Sequence, residues 1–73
     1  MHRNIVRILP KSGEWKITFN GSEVGIYSLK ATAIEKGKSL AKSNMPSQLV
    51  IYKADGTIET EYTYGNAPYP PRG

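Results

Sequence analysis

The chain has no cysteine, and among its 73 residues there is one histidine, one tryptophan and one phenylalanine. Without thiols there are no disulfide staples, thiolate metal sites, iron–sulfur clusters or cysteine nucleophiles, so the fold rests on packing. The one imidazole, His2, stands at the N-terminus, where side chains fray. That position argues against a general base or a metal ligand and leaves Ser-His-Asp chemistry without its middle member. Acids are also few, six Asp and Glu against ten Lys and Arg. Glu59 and Glu61 share a predicted strand face, but Asp55 reads as a turn residue, so no metal-ligating set forms. Gly13, Gly21 and Gly25 are scattered through predicted hairpins, and none precedes a helix at the spacing of a phosphate loop. No apolar run approaches the roughly 18 residues of a membrane span, and Met1-His2-Arg3-Asn4 is not followed by the apolar core of a signal peptide. The expected location is cytoplasmic, which makes Asn20-Gly21-Ser22 a turn rather than a glycosylation site. With no acid, base and nucleophile to assemble, the expectation is a non-enzyme without catalytic residue, cofactor, metal or small-molecule substrate.

What is present reads as one small domain, residues 1–65, followed by a proline-rich tail, residues 66–73. Arg3 to Leu9 is rich in β-branched residues and predicts a first strand stopping at Pro10. Turn chemistry in Pro10-Lys11-Ser12-Gly13 leads into Glu14–Phe19, whose alternation puts Trp15, Ile17 and Phe19 on one face. Asn20-Gly21 is a strong type I′ hairpin signal, and a third strand follows over Glu23–Tyr27, with Gly25 weakening it or marking a bulge. From Lys30 to Lys42 the period changes to that of a helix. Ala33, Ile34, Gly37, Leu40 and Ala41 form its apolar stripe, and Ser28 is the expected N-cap. Gly37 in mid-helix costs about 1 kcal/mol relative to Ala, which predicts a close approach of the helix to the sheet. Ser43-Asn44-Met45-Pro46 ends the helix. Gln48–Lys53, Asp55-Gly56 and Thr57–Tyr64 make a final hairpin, with Ile58, Thr60, Tyr62 and Tyr64 on one side and the glutamates on the other.

These elements predict an α+β fold, an antiparallel sheet of four to five strands with one helix packed on one face. The row Trp15, Ile17 and Phe19 is the expected floor for the helix. One helix covers one face of such a sheet, so the second face is left open, capped by the tail, or used.

Lys30-Ala31-Thr32-Ala33-Ile34 at the helix start, Leu40-Ala41-Lys42 at its end, Leu49-Val50-Ile51 before Asp55-Gly56-Thr57-Ile58, and the ending Tyr64-Gly65-Asn66-Ala67-Pro68-Tyr69-Pro70-Pro71-Arg72-Gly73 together resemble a widespread small bacterial family, domain-of-unknown-function family 2188. The resemblance spans nearly the whole chain, and the tail is its most specific part. It implies a fold, and no catalytic residue, cofactor or substrate. Two positions depart from the family's pattern: Leu29 stands where a Thr is usual, and Ala67 where an acid is usual.

Function therefore falls to surfaces. The first candidate is an interaction module that binds a macromolecular partner, or itself, through the open sheet face, with Tyr62, Tyr64, Tyr69, Pro70 and Pro71 as candidate tail or sheet-face contacts. The Pro68-Tyr69-Pro70-Pro71 stretch is biased to extended polyproline geometry and suits either docking on a partner or capping the sheet. The alternative is a nucleic-acid-binding accessory protein. Lys30, Lys36, Lys38 and Lys42 lie within one helix, and Arg7 and Lys16 lie on the first hairpin, a set that could follow a phosphate backbone. The competing reading of the same lysines is a solvated face, since a net charge of +4 is ordinary for a small domain.

Overall fold

The computed structural model describes residues 3–65; His2 and the tail candidates Tyr69, Pro70 and Pro71 lie outside them. The element order is β1 (Asn4–Lys11), β2 (Glu14–Phe19), β3 (Ser22–Tyr27), α1 (Lys30–Ser43), β4 (Ser47–Tyr52) and β5 (Ile58–Tyr64). All five strands join one sheet in the order β3-β2-β1-β4-β5. The fold is α+β, with one correction to the antiparallel expectation: β4 runs parallel to β1, from Asn4↔Ser47 to Ile8↔Ile51. The cause is the helix. A 14-residue helix is about 21 Å long, close to the length of a six-residue strand, so α1 returns the chain to the end of the sheet where β1 and β3 began.

Two tight turns set the first three strands. Ser12 and Gly13, and then Asn20 and Gly21, all have positive φ, as type I′ hairpin turns require. Contrary to the sequence reading, β1 does not stop before Pro10, which pairs with Trp15. The β4 pairing ends at Ile8, so at Pro10 the strand has a neighbour on one side only, and the missing N–H breaks no ladder. The expected irregularity at Gly25 is present as a register shift in β3 between the partners of Ile17 and Thr18.

The helix packs through the stripe Ala33, Gly37 and Ala41, all buried. Its floor is centred on the β1–β4 seam, where Val6, Ile8, Leu49 and Ile51 are essentially inaccessible, rather than on the Trp15, Ile17 and Phe19 row. Ile17 is in the core, while Trp15 and Phe19 are partly buried at its flank. The shift follows from the strand order, which puts β1 at the centre and β2 to one side. Gly37 makes the expected close approach: a Cβ there would stand 2.6 Å from Ile8 Cδ1 and 3.2 Å from Leu49 Cδ1. Ser28 is not the N-cap. Helical geometry begins at Lys30, so Leu29 occupies the cap position, and no side chain accepts from the first turn. The C-terminus is better held. Asn44 Nδ2 donates to the Leu40 carbonyl, and the buried Ser47 hydroxyl donates to the Ala41 carbonyl at 2.6 Å, tying β4 to the last turn.

Candidate interaction surface

The register assigns the strand side chains to two faces. On β1, Val6, Ile8 and Pro10 face the helix, so Ile5, Arg7 and Leu9 face away. Pairing carries that outer face across the sheet: Arg7 lies beside Thr18 on β2 and Val50 on β4, and Lys16 lies beside Ile26 on β3. Val50 and Thr18 are buried, while Ile26 is 41% exposed.

The edge strands are irregular, and this changes which side chains appear. In β5 a register shift makes Tyr52 the partner of Ile58 and Ile51 the partner of Thr60. Ile58 is thereby turned to the outer face, where it is 51% exposed, and away from Thr60, Tyr62 and Tyr64, with which simple alternation had grouped it. The extra residue, Glu59, reaches the helix side and forms an ion pair with Lys30. Its expected solvent partner Glu61 stays on the outer face and accepts from Gln48 Nε2 at 2.8 Å. The outer face thus carries Ile5, Leu9, Val50, Tyr52, Ile26 and Ile58 around Arg7 and Lys16, with Glu23 beside Thr18 and Glu61 beside Val50 at its two edges. Among the described residues, neither of those two cations has a carboxylate within 4.0 Å, the ion pairs being Lys11–Glu23 and Lys30–Glu59.

Three of the four helix lysines, Lys36, Lys38 and Lys42, line one shallow concavity with Glu35 and Ser39, while Lys30 lies apart at the helix start. Lys30 Nζ lies 4.8 Å from the centroid of the Trp15 ring, and Lys38 Nζ lies 5.5 Å from that of Tyr62. Both are turned toward the sheet, where an aromatic face attracts a cation. Lys36 and Lys42 are exposed. Arg7 and Lys16 are on the far face of the sheet, so the six candidate cations are not brought together. Tyr62 is on the helix side and partly exposed, and Tyr64 is half-buried against the core.

Among the described residues no cluster of three or more His, Asp or Glu side chains is placed to hold a metal. Asp55 accepts from the Thr57 hydroxyl at 2.7 Å and from the Thr57 amide at 2.9 Å. These bonds, the hydroxyl's foremost, hold its carboxyl below the ordinary aspartate pKa, which is turn chemistry and not a poised acid. No helix among the described residues is long and apolar enough to cross a membrane.

Comparison with known proteins supports the family read from the motifs of the sheet and helix, but not the weight given to the tail, residues 66–73, which lies outside the match. A family model described as "Uncharacterized protein conserved in bacteria (DUF2188)" matches residues 6–64, from the middle of β1 to the end of β5. The chain belongs to this family. A relative, "Uncharacterized protein YycD" of Bacillus subtilis (strain 168), is 42% identical over 45 residues, covering 62% of this chain and 68% of that protein. No solved structure gives a significant match. The family match spans the sheet except the first two residues of β1, and the whole helix, and so contains Arg7, Lys16 and the helix lysines.

Sequence reasoning missed Ile26 and Ile58 as outer-face residues, because strict alternation assigns faces only until a bulge intervenes. It also missed Val24, which stands on the helix side of β3 and is 55% exposed. A glycine inside a short strand was the one available signal.

Proposed function

We propose that the protein is a non-enzymatic interaction module that binds a macromolecular partner through the outer face of its sheet. The observation that carries this reading is the pair Arg7 and Lys16, without ion-pair partners among the described residues and bordered by the exposed apolar side chains Ile26 and Ile58. An apolar surface around fixed positive charge suits a protein partner with an acidic, partly apolar patch. Self-association through the same face is less favoured, since a two-fold contact opposes like surfaces and the acids of this face that could meet the other copy's cations, Glu23 and Glu61, are already engaged by Lys11 and Gln48. A non-enzymatic role is supported by what several acids do: Glu23 pairs with Lys11, Glu59 with Lys30, Glu61 with Gln48 and Asp55 with Thr57.

The test is affinity capture from a bacterial lysate with the tagged full chain, together with its Arg7→Glu and Lys42→Glu variants and light scattering on each. A stoichiometric partner lost with Arg7→Glu and kept with Lys42→Glu is the expected outcome, with a monomeric mass for the isolated protein. A partner lost only with Lys42→Glu overturns the assignment, and a doubled mass abolished by Arg7→Glu assigns the face to a second copy instead.

A further inference from the structure

On the other side of the sheet, α1 and the edge strand β3 leave a groove of about 370 Å³, within the lower range of small-ligand sites. Its apolar walls are Ile17, Val24, Tyr27 and Leu40, and Lys36, Ser39 and Ser43 are its polar lining. No carboxylate lines it. The groove follows from two features of the fold. The helix stripe sits over β1 and β4, and β3 is two strands from β1, about 10 Å away, so α1 does not reach over it. The register shift in β3 then puts both Val24 and Gly25 on the groove side and turns Tyr27 inward. Gly25 fills no space, and the Tyr27 ring lies against it, with Cε2 3.1 Å from where a Cβ would be. The apolar walls are therefore left open beside a cation that has no ion-pair partner among the described residues.

We infer that this groove binds a small apolar carboxylate, its hydrocarbon part against Val24, Tyr27 and Leu40 and its carboxylate on the Lys36 ammonium. Charge fixes the sign of the ligand, since the rim offers an ammonium and two hydroxyls and no acid. Size fixes its class: four apolar side chains fall far short of the roughly 800 Å² per partner of a stable protein contact. The site lies on the face of the sheet opposite to the proposed partner surface and stands independently of it.

The experiment is an amide chemical-shift titration of the full chain with sodium octanoate, repeated with octylamine and with Lys36→Glu. For a ligand of about ten non-hydrogen atoms, a Kd of about a millimolar is expected, with saturable shifts at Val24, Gly25, Tyr27 and Leu40. Reversing the charge of exposed Lys36 is expected to raise Kd about fivefold or more, and octylamine is expected to leave these amides unmoved. Shifts that do not saturate, equal binding of octylamine, or a Kd unchanged by Lys36→Glu would each overturn the inference.

Discussion

Gly37 and Ile8 occupy space that only one of them can fill. The helix loses about 1 kcal/mol in intrinsic propensity by carrying glycine there, yet an added methyl would meet Ile8 Cδ1 at 2.6 Å and Leu49 Cδ1 at 3.2 Å, both on fully buried side chains. Overpacking of this kind costs about 1–3 kcal/mol, more than the propensity regained, so Gly37→Ala is expected to lower stability by about 1 kcal/mol in urea denaturation. Ile8→Val removes the atom that collides. Alone it should cost about 1 kcal/mol, but in the Gly37→Ala background it should cost nothing or restore stability, a coupling of about 1 kcal/mol. Additive losses would show that the helix tolerates the methyl by shifting as a whole. The close approach at Gly37 was legible from the sequence, because a glycine in a helical period needs a packing reason. The partner atom was not, since it depends on β1 lying at the centre of the sheet. Asn20 is similar: its turn role is read directly from Asn20-Gly21, but its amide oxygen also accepts from the Ile5 N–H at 2.8 Å, a bond that only the assembled sheet creates.

Among the elements, α1 begins poorly and ends well. Its cap residue Leu29 is 64% exposed and offers no acceptor, and the first turn holds no acid. The element compensates from outside itself. Glu59, displaced to the helix side by the β5 bulge, brings a carboxylate to Lys30 at the N-terminal turn, where negative charge is favoured by the helix dipole. Leu29→Thr supplies the missing acceptor and sacrifices little buried surface. It should raise stability by about 1 kcal/mol, seen as a rise in Tm of about 4–8 °C for a domain of this size, while Leu29→Ala should not. No rise with Thr would mean that ordered water or Glu59 already satisfies those amides. Hairpins and helix were legible because their signals are local: turn dipeptides at positive φ, and a change of period from two to between three and four. The bulges were less so. Gly25 announced one, but nothing in Ile58-Glu59-Thr60 announces the other, and through it Ile58 was assigned to the wrong face. At both edges of the sheet these irregularities break the even ladder that would invite edge-to-edge pairing, which leaves the faces as the surfaces for contact.

For the whole molecule the parallel pairing of β1 with β4 decides where everything else lies. It joins strands some forty residues apart, beyond the reach of local pattern, although the run Leu49-Val50-Ile51 carried a hint, since strands covered on both faces tend toward continuous apolar sequence. Placing β1 in the middle sends Arg7 and Lys16 to the outer face and leaves the helix lysines on the other. It also lets Lys30 and Lys38 settle over Trp15 and Tyr62. Net positive charge is thereby divided, and division matters more for nucleic acid than the total does. A track of six cations on one duplex would give a slope of about −5 in log K against log salt. With three helix lysines around one concavity on one side and two cations on the other, no more than about three phosphates are neutralised at once, and the expected slope is no steeper than about −3. Titration of a labelled duplex and a labelled single strand from about 50 to 200 mM salt measures this directly, with binding at the upper end expected to be weaker than about 0.1 mM. A slope near −5 would mean that one nucleic acid reaches both faces, around an edge of the sheet. Arg7→Glu and Lys42→Glu would then weaken binding alike, and the sheet's outer face would belong to a phosphate backbone rather than to an acidic protein.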